Sequence, residues 1–227
     1  MDRVTPIAVD GPVASGKTAV GRLLSRKLGY RFLDTGIMYR ALTWLALERG
    51  VDTEDADGLV EMAKRHELGV VFDDDDDVRI LVGDRDVTPN LWRQEVDRAV
   101  SLVSRVAGVR EVLVDHQRRI ASEGAVVVVG RDVGTVVLPD APLKLFLTAS
   151  KEERAGRRYE ELRAAGQGLS YEQVLSDLER RDRLDTERVT GPLRPASDAC
   201  VMTTDDLGLD EVVERVIAKV RAKVGRK

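Results

Sequence analysis

The chain has 227 residues, with 36 Lys and Arg against 40 Asp and Glu for a formal charge of −4, and 43% of its residues are apolar. That length and apolar share suit one α/β domain with an insertion and exclude wholesale disorder. A net acidic chain is poorly suited to sequence-independent binding of a polyphosphate backbone, so no nucleic-acid partner is expected and any anion site must be a local concentration of positive charge.

Ile7-Ala8-Val9 is a short apolar run ending at Asp10-Gly11-Pro12, and from Lys17 onward Val20, Leu23, Leu24 and Leu28 fall at helical spacing. The pattern is strand, Gly-rich turn, helix. Arg31-Phe32-Leu33 reads as a second strand, followed by a helix from about Ile37 to Glu48 that stops at Gly50. This βαβ opening predicts a parallel, doubly wound sheet. The segment from Leu68 to Trp92 breaks the rhythm: Val70-Val71-Phe72 and Val78 to Val82 are β-prone and Gly83-Asp84 suits a hairpin turn, which predicts a small antiparallel insert. Asp73 to Asp77 is a run of five aspartates, read as a solvated turn because metal ligands usually come from spaced positions. Ala125 to Val129 and Leu143 to Leu147 read as buried parallel strands, Cys200 to Thr203 as a weaker one. Helices are predicted at about Val109 to Ser122, Lys151 to Ala165, Tyr171 to Arg183 and Leu209 to Val224. The fold class is thus an α/β parallel-sheet core flanked by helices, with a small antiparallel β insert. Cys200 is the single cysteine, so no intrachain disulfide can form and no CxxC-type metal set exists. No apolar run approaches the roughly 18 to 20 residues of a membrane span, and Pro6 to Val9 is too short for the apolar region of a signal peptide. A soluble, cytoplasmic protein without a membrane partner is expected.

Gly11-Pro12-Val13-Ala14-Ser15-Gly16-Lys17-Thr18 matches GxxxxGK[ST] in full, between a strand and a helix as the mechanism requires. Loop N–H groups and the helix N-terminus cradle phosphates, Lys17 reaches them, and the Thr18 hydroxyl can ligate Mg²⁺. ATP with Mg²⁺ is therefore the expected pair, held by residues 11 to 18 with Ala19 behind them. Between Glu152 and Arg194 stand nine arginines, at 154, 157, 158, 163, 180, 181, 183, 188 and 194, and no lysine. A guanidinium is a rigid fork that grips two phosphate oxygens and does not lose its charge. For Arg154, Arg163 and Arg194 an exposed ion pair is an equal reading. Arg181, Asp185 and Arg188 are four and three apart, which predicts one helix face. Gly130-Arg131-Asp132-Val133-Gly134-Thr135 follows the strand ending at Val129, and Asp34, Thr35 and Arg40 follow the second strand. In an open parallel sheet ligands sit beyond the carboxyl ends of the strands, so three strand ends should converge on one crevice. A hydroxyl acceptor would need a carboxylate base, and Asp34 is the only strand-end candidate beside the Gly-rich loop; a phosphate monoester, largely ionised at neutral pH with a second pKa of about 6, needs none. Many arginines and few bases point to a nucleoside monophosphate kinase.

With these residues in view, the chain resembles the bacterial cytidylate kinases from Ile7 to the final helix. The resemblance rests on the Gly-rich loop, Leu33-Asp34-Thr35-Gly36-Ile37-Met38-Tyr39-Arg40, Gln94-Glu95-Val96 with Ser101, Val109-Arg110-Glu111, Gly130 to Val137, Phe146-Leu147-Thr148-Ala149-Ser150, and Arg181-Asp182 through Arg188. It implies a kinase core over residues 1–62 and 104–227, a short helical lid over about 152–168, and a monophosphate-binding insert over 63–103. It further implies that Ser101, Arg110 and Asp132 read the cytosine edge, Asp185 with Arg181 the ribose, and Arg40, Arg131 and Arg188 the acceptor phosphate. Arg154, Arg157 and Arg158 fall among the lid arginines, with Arg157 on the ATP and Arg158 on the transferring group. A carboxylate such as Asp132 accepts from the exocyclic amine of cytosine and repels the uracil carbonyl. The expectation is (d)CMP phosphorylation by a monomer; phosphorylation of UMP, AMP or dTMP, and an ATP-dependent switch, are the alternatives. The chain departs from the family at Val129, where Glu or Asp is common, and at Ala14, where Gly is usual; the latter is tolerable if φ there is negative.

Overall fold

The computed structural model describes residues 4–73 and 78–224. Asp74 to Asp77, most of the aspartate run, lie outside the described residues, while Asp73 pairs with Arg79 at 2.8 Å on the surface. Five parallel strands form the central sheet in the order β2-β6-β1-β7-β8. They are β1 (Ile7–Asp10), β2 (Arg31–Asp34), β6 (Val126–Gly130), β7 (Leu143–Thr148) and β8 (Cys200–Thr203). β1 and β6 are buried along their whole length, as strands covered by helices on both faces must be, which is why both read as unbroken apolar runs.

Register explains the convergence at the carboxyl edge. Asp10 lies opposite Gly130, and Asp34 opposite Val129, so β1, β2 and β6 end level with one another and deliver their following loops to one place. On one face, α1 (Lys17–Leu28) sets Val20 and Leu24 against Phe32, Val127 and Val129, joined by Val213 and Val216 of α8 (Leu209–Val224). On the other face, α2 (Thr35–Glu48) and α5 (Ala107–Ser122) bury Met38, Leu42, Leu45, Val109 and Leu113 against Ala8, Leu33 and Val128. Each such side chain contributes roughly 1.5–3 kcal/mol by leaving water.

The insert is built as its alternation predicts: β3 (Leu68–Phe72), β4 (Val78–Val82) and β5 (Arg85–Asp86) form an antiparallel sheet, with Gly83-Asp84 as the two-residue turn between Val82 and Arg85. α3 (Ala56–Arg65) precedes it and α4 (Gln94–Val103) follows it. Neither helix is anticipated by the sequence reading, because each is ten residues long with only a few apolar positions. The insert has no core of its own. Leu68, Ile80, Val87, Leu91, Val96 and Val100 belong to the same apolar cluster as α2 and α5.

Helices α6 (Lys151–Ala164) and α7 (Tyr171–Glu187) pack on each other, α7 opening with a reciprocal Ser170–Gln173 cap. The expectation that Arg181, Asp185 and Arg188 share one helix face is corrected at its last member. α7 ends at Glu187 and Arg188 is extended, φ −62° and ψ 140°.

Candidate active site

The carboxyl edge of β1, β2 and β6 opens into a cavity of about 330 Å³ walled also by α4, α5, α6 and α7. Of the residues anticipated from sequence, Val13, Ala14, Gly16, Lys17, Thr18, Ala19, Asp34, Thr35, Arg40, Ser101, Arg110, Arg131, Asp132, Arg158, Arg181, Asp185 and Arg188 line it. Gly11, Pro12, Ser15 and Arg157 do not.

At the Gly-rich end, Gly16 is the N-cap of α1 at φ 82°, and without a side chain to cap them the first-turn N–H groups are left for an anion. Lys17 Nζ donates to the Pro12 carbonyl at 2.9 Å, so Pro12 acts from the loop backbone. Burial, aided by the nearby Arg131 charge, pushes the Lys17 ammonium down to about 7. The Thr18 hydroxyl donates to Asp34 Oδ2 at 3.0 Å, while Asp34 Oδ1 accepts from the Gly36 N–H at 2.9 Å and caps α2. The Thr35 hydroxyl donates to the Val129 carbonyl and so ties α2 to β6. Val129 itself points into the apolar layer, close to Gly21 of α1. Ala14 sits at φ 56°, so the proviso of a negative φ fails, and a residue with a Cβ occupies left-handed backbone.

Arg157 stands outside the cavity, donating to the Thr204 hydroxyl at 3.0 Å and carbonyl at 2.7 Å. Its terminal nitrogen lies 3.8 Å from where a Cβ on Gly16 would sit, so it borders the phosphate loop from the outside. Arg154, for which an exposed ion pair was an equal reading, is buried instead, donating to the Val13 carbonyl at 3.2 Å and to Asp182 at 2.7 Å. Arg163 does pair on the surface, with Glu160.

At the opposite end Asp132 lies between two guanidiniums. Arg110, only 2% exposed, donates to its Oδ2, and Arg188 donates to its Oδ1 at 3.1 Å. Arg110 also donates to the Ser104 carbonyl and lies 5.5 Å from the Tyr39 ring centroid. Arg188 reaches back to the Gly191 carbonyl. Gly191 has φ 62°, and a Cβ there would fall 2.2 Å from Asp132 Oδ2, so this tight return requires glycine. Between the two ends Arg131 Nε donates to Asp185 Oδ2 at 2.8 Å. Burial opposes the Asp185 charge, but Arg131 and Arg188 outweigh it and hold the carboxyl below its usual range.

The sequence reading misses several participants. Tyr39, Trp92, Ser104 and Glu161 line the cavity, and Asp97 binds three of its arginines. Asp10 is buried below it, accepting from the Val133 and Gly134 N–H groups. Position directly before the Gly-rich loop was the available signal for Asp10; for Asp97 the spacing offers none.

This arrangement has a phosphate loop at one end, a fixed carboxylate between arginines at the other, and arginines between. The cytidylate kinase family model matches residues 7–222. The chain belongs to the cytidylate kinase family. It is accordingly an enzyme, an ATP-dependent nucleoside monophosphate kinase. Over 222 residues it is 46% identical to a cytidylate kinase of Pelotomaculum thermopropionicum, covering 98% of each chain. It is 43% identical to one of Bacillus velezensis over 98% of this chain and 99% of that one. A bifunctional pantoate ligase/cytidylate kinase of Synechococcus sp. is 45% identical over 97% of this chain and 41% of that protein. Among solved structures, an uncharacterized protein from Eubacterium ventriosum matches with a TM-score of 0.50 at 14% identity, over 95% of this chain and 97% of that one, a likeness of fold alone.

Proposed function

We propose that this family member transfers the γ-phosphoryl group of Mg·ATP to the α-phosphate of CMP or dCMP, giving the diphosphate and ADP. The observation that carries the reading is Asp132, fixed by Arg110 and Arg188 at the end of the cavity remote from the Gly-rich loop. Its oxygens have accepting capacity beyond these two bonds, and an exocyclic amine donor satisfies it where a carbonyl repels it. Ser101, on the wall of the same cavity, completes the base-reading set. Asp185 and Arg181 face the ribose, and Arg40, Arg131 and Arg188 take the acceptor phosphate, whose ionised oxygen attacks without a protein base. Lys17 and the uncapped start of α1 hold the donor phosphates, and Arg158 neutralises the group in transfer while Arg157 braces the loop from behind.

The side chains where α1 and α2 begin suit a hard cation. Thr18 and Asp34 are both oxygen donors, 3.0 Å apart and both on the cavity wall, and Mg²⁺ takes a few protein oxygens with phosphate and water completing its shell. Held by Thr18 and Asp34, Mg²⁺ would supply positive charge that offsets the charge of the donor phosphates.

Residues 63–103 act as the monophosphate-binding insert and 152–168 as the lid, in a cytoplasmic monomer. No described helix is long and apolar enough to cross a membrane. The test is ADP release with Mg·ATP and a panel of CMP, dCMP, UMP, AMP and dTMP. Rapid turnover with the two cytidylates alone is expected; silence with every acceptor while ATP binds would overturn the reading in favour of an ATP-dependent switch.

A further inference from the structure

Three arginines of the cavity wall come from three helices and meet at one carboxylate. Arg40 of α2 donates to Asp97 Oδ1 at 2.5 Å, Arg181 of α7 donates to both oxygens at 3.1 and 3.2 Å, and Arg158 of α6 donates to Oδ2 at 3.3 Å. Arg40 is further held by the Leu91 carbonyl at 3.1 Å and by the Trp92 ring, 4.6 Å from its guanidinium carbon. All three arginines line the cavity, whereas Asp97 is absent from its lining. The carboxylate therefore meets them from behind, through α4, and does not occupy the place of a ligand.

This geometry solves a physical problem. Guanidiniums gathered to grip a phosphate repel one another; Arg181 feels the charges of both Arg40 and Arg131. One anion shared among three cations offsets that repulsion, and with Glu161 paired to Arg158 at 3.1 Å the cluster still keeps a net charge of +1 for the ligand. Each guanidinium has five N–H donors, so a bond or two to Asp97 leaves others free to point inward. Burial opposes the charge on Asp97, but Arg181 and Arg40 outweigh it and hold the carboxyl at about 2, an anion at any working pH.

We propose that Asp97 is a positioning residue: from outside the cavity its carboxylate gathers Arg40, Arg158 and Arg181 into a preformed receptor for the acceptor nucleotide, its phosphate at Arg40, its ribose at Arg181 and the group in transfer at Arg158. The inference rests on the kinase reading above. Arg158, the one of the three that acts on the group in transfer, is also held by Glu161 at 3.1 Å, so loss of Asp97 falls mainly on Arg40 and Arg181, whose acceptor contacts are alike before and during transfer, and raises KM more than it lowers kcat.

The experiment is steady-state kinetics with Mg·ATP and CMP for the wild type, Asp97→Asn and Asp97→Glu, with circular dichroism on each. Wild-type turnover of CMP is the control: its absence would overturn the kinase reading itself, independently of Asp97. Given turnover, Asp97→Asn should raise KM for CMP about tenfold or more with kcat changed less than about threefold, and Asp97→Glu, which keeps the charge on a longer arm, should fall between. An unchanged KM with only a lowered melting temperature would make Asp97 structural, and a lowered KM would make it a competitor of phosphate; either overturns the proposal. Should Asp97→Asn not fold, Asp97→Glu decides alone: a raised KM supports the role and an unchanged one refutes it.

Discussion

Lys17 and Ala14, three positions apart in one loop, are each held in a state their side chains resist. Burial and Arg131 bring the Lys17 ammonium down to about 7, from 10.5 in an unfolded chain. The folded protein therefore binds fewer protons at Lys17 than the unfolded chain between pH 7 and 10.5. By linkage this burden on the fold is full below about pH 7 and is relieved as pH rises toward 10.5. A triphosphate reverses the shift, because its charge favours the ammonium. ATP binding at pH 8 should take up a proton, and ATP affinity should fall as pH climbs above 7, by up to about tenfold per unit. Calorimetry in buffers of different ionisation enthalpy reads this directly; identical heats across buffers would refute it. At Ala14 the left-handed backbone clashes with Cβ, so Ala14→Gly should raise unfolding free energy by about 0.5–1 kcal/mol despite the greater freedom glycine gives the unfolded chain. In a chain of this size that is a rise of roughly 1–4 °C in melting temperature.

At the scale of elements, the connection from β1 to the segment after β6 decides where Arg131 and Asp132 stand. Asp10 accepts from the Val133 N–H at 2.7 Å and the Gly134 N–H at 2.8 Å, pinning the start of a single π-helical turn, Val133–Val137. Burial raises the Asp10 carboxyl to about 6, although both N–H donors favour its charge. Asp10→Ala would leave two buried N–H groups unpaired, a loss of about 2–5 kcal/mol by urea denaturation. A change under about 0.5 kcal/mol would mean the carboxylate does not hold the turn. This pairing, 123 residues apart, also marks what sequence could and could not reveal. The strands, the phosphate loop and the helix after it are legible because each is coded within about ten residues, by apolar runs, Gly-Lys-Thr and helical spacing. Arg188 was misplaced by one residue, since the end of α7 is set by its return to Gly191 rather than by local propensity. The π-helical turn and the Asp97 cluster, with partners 57, 61 and 84 residues distant, have no local code at all.

For the whole molecule, the shared apolar cluster argues against an insert that melts by itself. Ile80 of β4 and Val96 of α4 belong to one apolar cluster with Met38, Leu42 and Leu113, so removing the insert would uncover the side of α2 that faces away from the sheet. Urea unfolding followed by far-ultraviolet circular dichroism and by tryptophan emission should give one coincident transition, and Ile80→Ala should lower stability by about 2–5 kcal/mol. Two separated transitions would show that the insert folds independently.

The strand order has a further consequence, one of timing. β1 is the central strand, yet both its neighbours lie far along the chain: Ile7 pairs with Val127 and with Leu143. During synthesis at roughly 5–20 residues per second, the 120 residues from Ile7 to Val127 take about 6–24 s to appear. Throughout that interval the apolar Ile7-Ala8-Val9 segment has no strand to pair with, so the sheet and the phosphate loop at its edge can close only late in translation.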